Sequence, residues 1–281
     1  MPELVIAFLG DVVGGPGRSA IEAAVPVLRQ QHKCQLIIVN GENARHGSGL
    51  SPDNYRSLIQ RRGAVRDTGV DAVTLGDHAF RERAILPILK DPAEPVARPA
   101  NLSLTAPGKR IIRLMPPGGE SPPLYILTVL GRLFMPIPAD SPFAAIDREL
   151  SAIPEPNAIV IVEAHAEATS EKQALAWHCL DKWSSPSGPR VVAVVGTHTH
   201  TQTADARILD RQMAAMTDLG MCGPHRSVIG RSISATLEAM VNQTPTPLDV
   251  ASDDVRAQGC IMRIDAEMRR PIAIDRFDLA V

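Results

Sequence analysis

The stretch "RVVAVVGTHTHTQTAD" (190–205) decides how the chain reads. An apolar run, Val191–Val195, ends at Gly196 and then places two histidines, His198 and His200, two positions apart. Side chains i and i+2 of a strand share a face, so a strand running on through this segment would aim both imidazoles at one place. Taken alone, the segment reads equally well as a polar turn after a strand. Similar runs recur at 4–9 (LVIAFL), 36–39 (LIIV), 72–75 (AVTL), 124–130 (LYILTVL), 158–162 (AIVIV) and 214–216 (AAM). Continuous Val- and Ile-rich runs of this length suit strands covered on both faces. Helical patterns lie between them. Ser19 with Glu22, and Ser170 with Gln173, have the spacing of capping boxes. Ser51 precedes Pro52 as an N-cap would. Pro26 is expected to kink the first helix or to mark where its regular part begins. The β-α-β-α alternation predicts an α/β sheet architecture. At the C-terminal end, "CIMRIDAEMRRPIAIDRF" (260–277) predicts a β-hairpin with Pro271 on an edge strand.

Bulk composition agrees with a soluble globular chain. Of 281 residues, 44% are hydrophobic and 21% charged, enough apolar material for a substantial core. Aromatics are only 3%, so that core is mainly aliphatic. A formal net charge of -2 excludes a strong overall pull on nucleic acid. The opening "MPELVIAFLGD" lacks the basic region and small-residue cleavage site of a signal peptide. No apolar run is long enough to span a bilayer. Cys34, Cys179, Cys222 and Cys260 are scattered without a C-x-x-C pair, so reduced thiols in a cytoplasmic protein are expected. "MPPGGESPP" (115–123) reads as a loop between strands. With no repeat or low-complexity tract, residues 1–281 are expected to form one domain.

In open α/β sheets, ligands bind beyond the carboxyl ends of strands. Asp11 follows the first run, Glu42 and Asn43 the second, and Asp77 and His78 the third. His165 follows "AIVIV", and His198 and His200 follow "VVAVV". Half of the chain's eight histidines therefore sit at strand exits. Each residue alone has an ordinary explanation as a turn, cap or core polar group. Their coincidence does not, because converging carboxylates raise one another's pKa and converging neutral imidazoles leave acceptors unpaired. Divalent cations resolve both problems. Oxygen and imidazole donors without cysteine suit Mn, Fe, Zn or Co rather than structural zinc or calcium. The donors outnumber the needs of one tetrahedral ion and suit two metals ~3.5–4 Å apart, an arrangement that serves phosphoryl transfer.

The blocks "GDVVGGPGR", "NGENARHGSGL", "GDH", "RPAN", "HAEATSEK", "GTHTHTQTAD" and "TDLGMCGP" occur in order from residue 10 to about residue 224. They resemble the signature blocks of the bacterial YmdB-like metallophosphoesterases, in the calcineurin-like phosphoesterase superfamily. The resemblance implies a four-layer α/β/β/α sandwich and a phosphodiesterase with 2′,3′-cyclic nucleotides among its substrates. It also implies that one metal is held by Asp11, Glu42, Asn43 and His200. A second would be held by Glu42, Asp77, His165 and His198, with Glu42 bridging. His78 falls where the family has its catalytic histidine. The metals implied are Fe, Mn or Zn, with Mg admissible. One departure stands out. The family pattern is G-N-H where this chain has Gly76-Asp77-His78. An added negative charge holds a cation more firmly, weakens it as a Lewis acid, and favours protonated His78.

Other residues keep two readings. His46, among the glycines of "ARHGSGL", reads as a substrate contact or an exposed loop histidine. Arg98 and Lys172 read as phosphate contacts or salt-bridge partners. Asp218 reads as a residue that orders a ligating histidine. Trp177 and Trp183 read as packing residues, and "RRGAVRD" (61–67) as a short insertion away from the metals. The expected partner is a small phosphodiester or nucleotide; RNA ends and a homo-oligomer stay open, and no membrane is expected. Two rival functions are a metal-stabilised regulatory scaffold with little turnover and an NAD-binding Rossmann-type domain. The second rests on Gly15-Pro16-Gly17-Arg18-Ser19-Ala20, which fits the loose form G-x-G-x-x-A, but it leaves the histidines unexplained.

Overall fold

A computed structural model describes residues 3–59, 69–119 and 121–281. The strand β1 (Glu3–Val12) leads into helix α1 (Gly14–Gln30), followed by β2 (Leu36–Asn40), α2 (Pro52–Ile59) and β3 (Ala72–Thr74). Next come α3 (Leu86–Lys90), β4 (Val96–Ala97), β5 (Ile111–Leu114), β6 (Leu124–Leu130) and α4 (Pro142–Ser151). Then follow β7 (Ile159–His165), α5 (Thr169–Trp183), β8 (Arg190–Thr197), β9 (Arg207–Leu209), β10 (Met213–Met216) and β11 (Met221–Pro224). Helix α6 (Ile233–Asn242) precedes the long strands β12 (Val255–Asp265) and β13 (Arg270–Ala280).

The strands form two sheets, in the orders β13-β12-β11-β1-β2-β3-β4 and β5-β6-β7-β8-β10-β9. Three apolar layers make a four-layer α/β/β/α sandwich. One layer seats α1, α2 and α3 on the first sheet through residues such as Val25, Leu28, Leu58 and Leu89. A second fills the space between the sheets. A third seats α4 and α5 on the second sheet through residues such as Ile146, Leu150 and Leu175. Strands buried on both faces need apolar residues at every position, which is why their runs are continuous.

The layer between the sheets positions the site. Its apolar side chains alternate along each strand: Leu36 and Ile38 on β2, Leu124 and Ile126 on β6, Ile159 and Ile161 on β7. Two residues further on, the same face carries Asn40, Thr128 and Glu163, then His165, all buried. The dry layer thus turns polar toward the carboxyl ends of the strands. On β1 the register against β2 shifts between Leu9 and Asp11. Such an irregularity re-aims a side chain.

Most expected strands lie where the apolar runs placed them, and the C-terminal hairpin has β13 at a sheet edge. Two local expectations are corrected, and one choice left open between strand and turn is decided. Helix α1 starts at Gly14, after Val13, so Ser19 lies inside it and no capping box forms there. Helix α5 starts after Ala168, and Ser170 sits within its first turn. The paired histidines are not in a strand, because β8 ends at Thr197. The Ser51 cap is present, with its Oγ 3.2 Å from the Asn54 amide. Pro26 lies within α1, which continues to Gln30. The "RRGAVRD" segment lies outside the described residues.

Candidate metal centre

Glu42, Asp77, His165 and His198 present ligand atoms that all lie within 4.8 Å of one another. His165, at the end of β7, is wholly buried. Its Nε2 lies 3.2 Å from Asp77 Oδ1 and 3.3 Å from Glu42 Oε1. His198 Nδ1 lies 3.1 Å from the same Nε2. The cluster leaves no room at Gly76, where a Cβ would stand 2.3 Å from both Glu42 Oε2 and His165 Nε2. Only glycine lets the chain pass here.

Asp11 joins the cluster from β1. Its Oδ2 accepts the His198 amide at 3.0 Å, and its Oδ1 lies 3.9 Å from His165 Nδ1. Asn43 reaches His78 Nδ1 with its Nδ2 at 3.0 Å. His78 donates its amide to Glu42 Oε2 at 3.0 Å, while its ring Nδ1 lies 3.5 Å from Glu42 Oε1. His200 stands at the margin, outside the group of four. Its Nδ1 lies 3.0 Å from the Ile229 carbonyl, leaving Nε2 as the remaining ring nitrogen. His46 is exposed, and its carbonyl accepts from Arg231 at 3.0 Å.

What aims the two loop histidines is a strained turn. His198 has φ 99° and His200 φ 61°, a backbone region that costs a non-glycine residue roughly 1–3 kcal/mol. The turn is held from inside. Asp11 takes the His198 amide, and Asp218 takes both the amide and the hydroxyl of Thr199, at 3.2 and 2.8 Å.

The charges are crowded. Burial pushes the Asp11 carboxyl up to about 7, against the pull of His200 and His165. Burial alone would raise Glu42, but His165 and His78 hold it well below the usual carboxylate range. Burial would also lower His165, but Glu42, Asp77 and Asp11 hold it well above an ordinary imidazole. Burial and then His165 lower His198. The hydrogen bond to Glu42 raises His78, with a smaller upward push from Asp77.

The donor set fits a cation. The buried Oδ1 atoms of Asp11 and Asn43 accept no hydrogen bond. A buried acceptor left open costs roughly 1–3 kcal/mol, and these two flank a cluster of carboxylates and imidazoles. Oxygen and nitrogen donors without sulfur match hard or borderline divalent ions.

Arg98 is fully buried and donates to the carbonyls of Pro99, Ser103 and Ala106, so it makes neither of the contacts expected of it. Lys172 pairs with Asp218. Trp183 packs beneath the α5 layer and donates to Asp147, but Trp177 is 48% exposed rather than packed. Sequence reasoning missed Asn40, Glu163, Thr197 and Glu167. Glu167 lies 3.3 Å from His198 Nε2. The signal for Glu163 was a carboxylate interrupting an otherwise apolar strand, and for Asn40 an amide closing one.

A model of the family described as YmdB-like protein matches residues 7–277. A Bacillus subtilis (strain 168) relative, a "2′,3′-cyclic-nucleotide 2′-phosphodiesterase", is 37% identical over 271 residues, covering 96% of this chain and 95% of its own. Two solved structures share the fold over nearly the whole chain. A hypothetical protein from Thermus thermophilus is 37% identical with a TM-score of 0.83, covering 99% of each chain. A phosphatase from Mycoplasma pneumoniae is 27% identical with a TM-score of 0.86, covering 100% of this chain and 94% of that one. A dinucleotide-binding Rossmann-type domain is thereby set aside: the glycines on which it rested lie inside α1, and Glu42 belongs to the carboxylate–imidazole cluster. With fold, cluster and signature blocks agreeing, the chain belongs to the YmdB-like family.

Proposed function

We propose that this protein is a metal-dependent phosphodiesterase that opens 2′,3′-cyclic nucleotides or related small phosphodiesters, RNA ends included. The observation that carries the reading is the convergence of Glu42, Asp77, His165 and His198, drawn from four strand exits onto one point. The B. subtilis relative's name supports the choice of substrate. Two cations, of Fe, Mn or Zn, are proposed. Asp11, Glu42, Asn43 and His200 would hold one; Glu42, Asp77, His165 and His198 would hold the other. When bound, such ions offset phosphate charge and lower the pKa of water.

The chain's own residues do the rest. Glu42 and Asn43 hold the His78 ring from its Nδ1 side, and the side chain is 25% exposed. That leaves Nε2 to meet a substrate oxygen. Water adds to phosphorus, one P–O(ribose) bond breaks, His78 gives its proton to the departing ribose oxygen, and the proton shed by the water restores His78 through solvent. The product is a nucleoside monophosphate. The His198–His200 turn, braced by Asp11 and Asp218, keeps the imidazoles in place without reorganisation during the reaction.

The test pairs elemental analysis of the purified protein with turnover of 2′,3′-cyclic AMP, 3′,5′-cyclic AMP and bis-p-nitrophenyl phosphate in added Mn²⁺. The expected result is bound transition metal and preference for the 2′,3′-cyclic substrate. Bound metal with no turnover of any of the three would overturn the enzyme reading in favour of a metal-stabilised scaffold.

A further inference from the structure

Behind the cluster lies a further carboxylate that no metal is expected to touch. Glu163 is wholly buried on β7, two residues before His165. A lone carboxylate buried this way is costly unless it is hydrogen-bonded. Here three donors converge on it. Its Oε1 accepts from Asn40 Nδ2 at 2.7 Å and from Thr197 Oγ1 at 2.8 Å. Its Oε2 accepts from Thr128 Oγ1 at 2.7 Å.

Two of those donors touch the metal cluster. A hydroxyl has one proton, and that of Thr197 goes to Glu163, so toward its other neighbour Thr197 can only accept. That neighbour is His165 Nδ1, at 2.9 Å. When it holds a cation through Nε2, His165 therefore carries its one remaining proton on Nδ1, with the Nε2 lone pair turned toward the space it shares with Asp77, Glu42 and His198. Asn40 Nδ2 also approaches Nδ1, but at 3.4 Å it is much the longer contact, and the 2.9 Å bond to Thr197 Oγ1 is the one that places the ring proton. On the other arm, Glu163 takes the Asn40 NH₂ group and so fixes which way that amide faces. Asn40 Oδ1 is left to accept the backbone amide of Glu42 at 3.0 Å.

We propose that Glu163 is a positioning residue that sets two cluster residues at once: the tautomer of His165 through Thr197, and the backbone of Glu42 through Asn40. It acts through hydrogen-bond acceptance and touches no substrate. The proposal rests on the reading of Glu42 and His165 as metal ligands. Outer partners of this kind typically change metal affinity by 10- to 100-fold when removed.

The experiment measures Zn²⁺ affinity of the whole protein by competition with a chromophoric chelator, alongside ring ¹⁵N shifts of the histidines in Zn²⁺-loaded protein. Thr197→Val removes the hydroxyl at nearly constant volume; Thr197→Ser restores it. Glu163→Gln keeps an acceptor for Asn40 and Thr197 and presents its NH₂ to Thr128, whereas Glu163→Ala removes both arms. The expected result is a 10- to 100-fold loss for Thr197→Val, an equal or larger loss for Glu163→Ala, and affinity within about threefold of the parent for Thr197→Ser and Glu163→Gln. The His165 ring should be a single Nδ1–H tautomer in the parent and lose that signature in Thr197→Val. If Glu163→Ala does not fold, the two Thr197 variants decide the matter. Parent-like affinity and ring shifts in Thr197→Val overturn the proposal, as does a Glu163→Gln variant that binds as weakly as Glu163→Ala. Turnover plays no part: a parent protein that binds Zn²⁺ tightly and hydrolyses nothing sinks the phosphodiesterase reading and leaves this one standing.

Discussion

Lys172 Nζ lies 2.7 Å from Asp218 Oδ2, and both side chains are almost wholly buried, at 3% and 2% exposure. The same carboxylate oxygen holds the amide and hydroxyl of Thr199, the residue between His198 and His200. The pair thus ties helix α5 to the strained turn. Removing one member leaves the other charge buried and unpaired, which typically costs about 3–5 kcal/mol. Lys172→Met is expected to lose stability on that scale in urea denaturation of the metal-free protein. A loss under about 1 kcal/mol would mean the pair is not the brace described here.

The His78 side chain makes contact with Glu42 and Asn43 but is not among the four residues of the cluster. His78→Ala should therefore retain its metals while turnover falls by roughly 10²–10⁴, the usual contribution of a general acid. Metal content by elemental analysis and turnover of 2′,3′-cyclic AMP check this together. An apo protein from the mutant would assign His78 to the metals instead.

Asp77 approaches three imidazoles, with its Oδ1 at 3.2 Å from His165 Nε2, 3.7 Å from His198 Nδ1 and 3.9 Å from His78 Nδ1. Asparagine, which the family pattern carries here, would remove a charge while keeping an oxygen donor. Asp77→Asn is expected to bind metal more weakly and to turn over faster at saturating metal, as the ions become stronger Lewis acids. Chelator competition and saturating-metal turnover measure the two effects. Tighter binding in the variant would reverse the account.

The strand framework was legible because strands buried on both faces must be continuously apolar, as at 4–9, 36–39 and 191–195. The residues of the cluster were legible because polar groups immediately after such runs stand out. Other features depend on contacts remote in sequence. Gly14–Gly17 reads as a loop by local propensity, yet it opens α1: a Cβ at Gly17 would lie 2.4 Å from the Cys222 carbonyl, so glycine is there for close packing. The antiparallel seat of β12 beside β1 joins residues about 260 positions apart, such as Leu4 and Ile264, and no local pattern encodes it. The choice between strand and turn for His198 and His200 stayed open for a related reason. Strand alternation stops at Thr197, and the turn beyond it is shaped by Asp11 and Asp218.

Charge crowding predicts how metal uptake depends on pH. In the metal-free chain, Asp11 is pushed up to about 7 by burial, and His165 is held well above an ordinary imidazole because the surrounding carboxylates outweigh its burial. At pH 7 Asp11 is therefore about half protonated, and His165 holds its second proton more firmly than an ordinary imidazole does. Both must lose their protons to coordinate a cation, so uptake at pH 7 should release protons to the buffer. The sign follows: affinity falls as pH drops below 7 and rises until His165 has deprotonated. Titration calorimetry of Zn²⁺ binding in buffers of differing ionisation enthalpy measures the number released. A heat independent of buffer identity at pH 7 would mean that no net proton leaves and that the carboxylates and imidazoles are already in their coordinating forms.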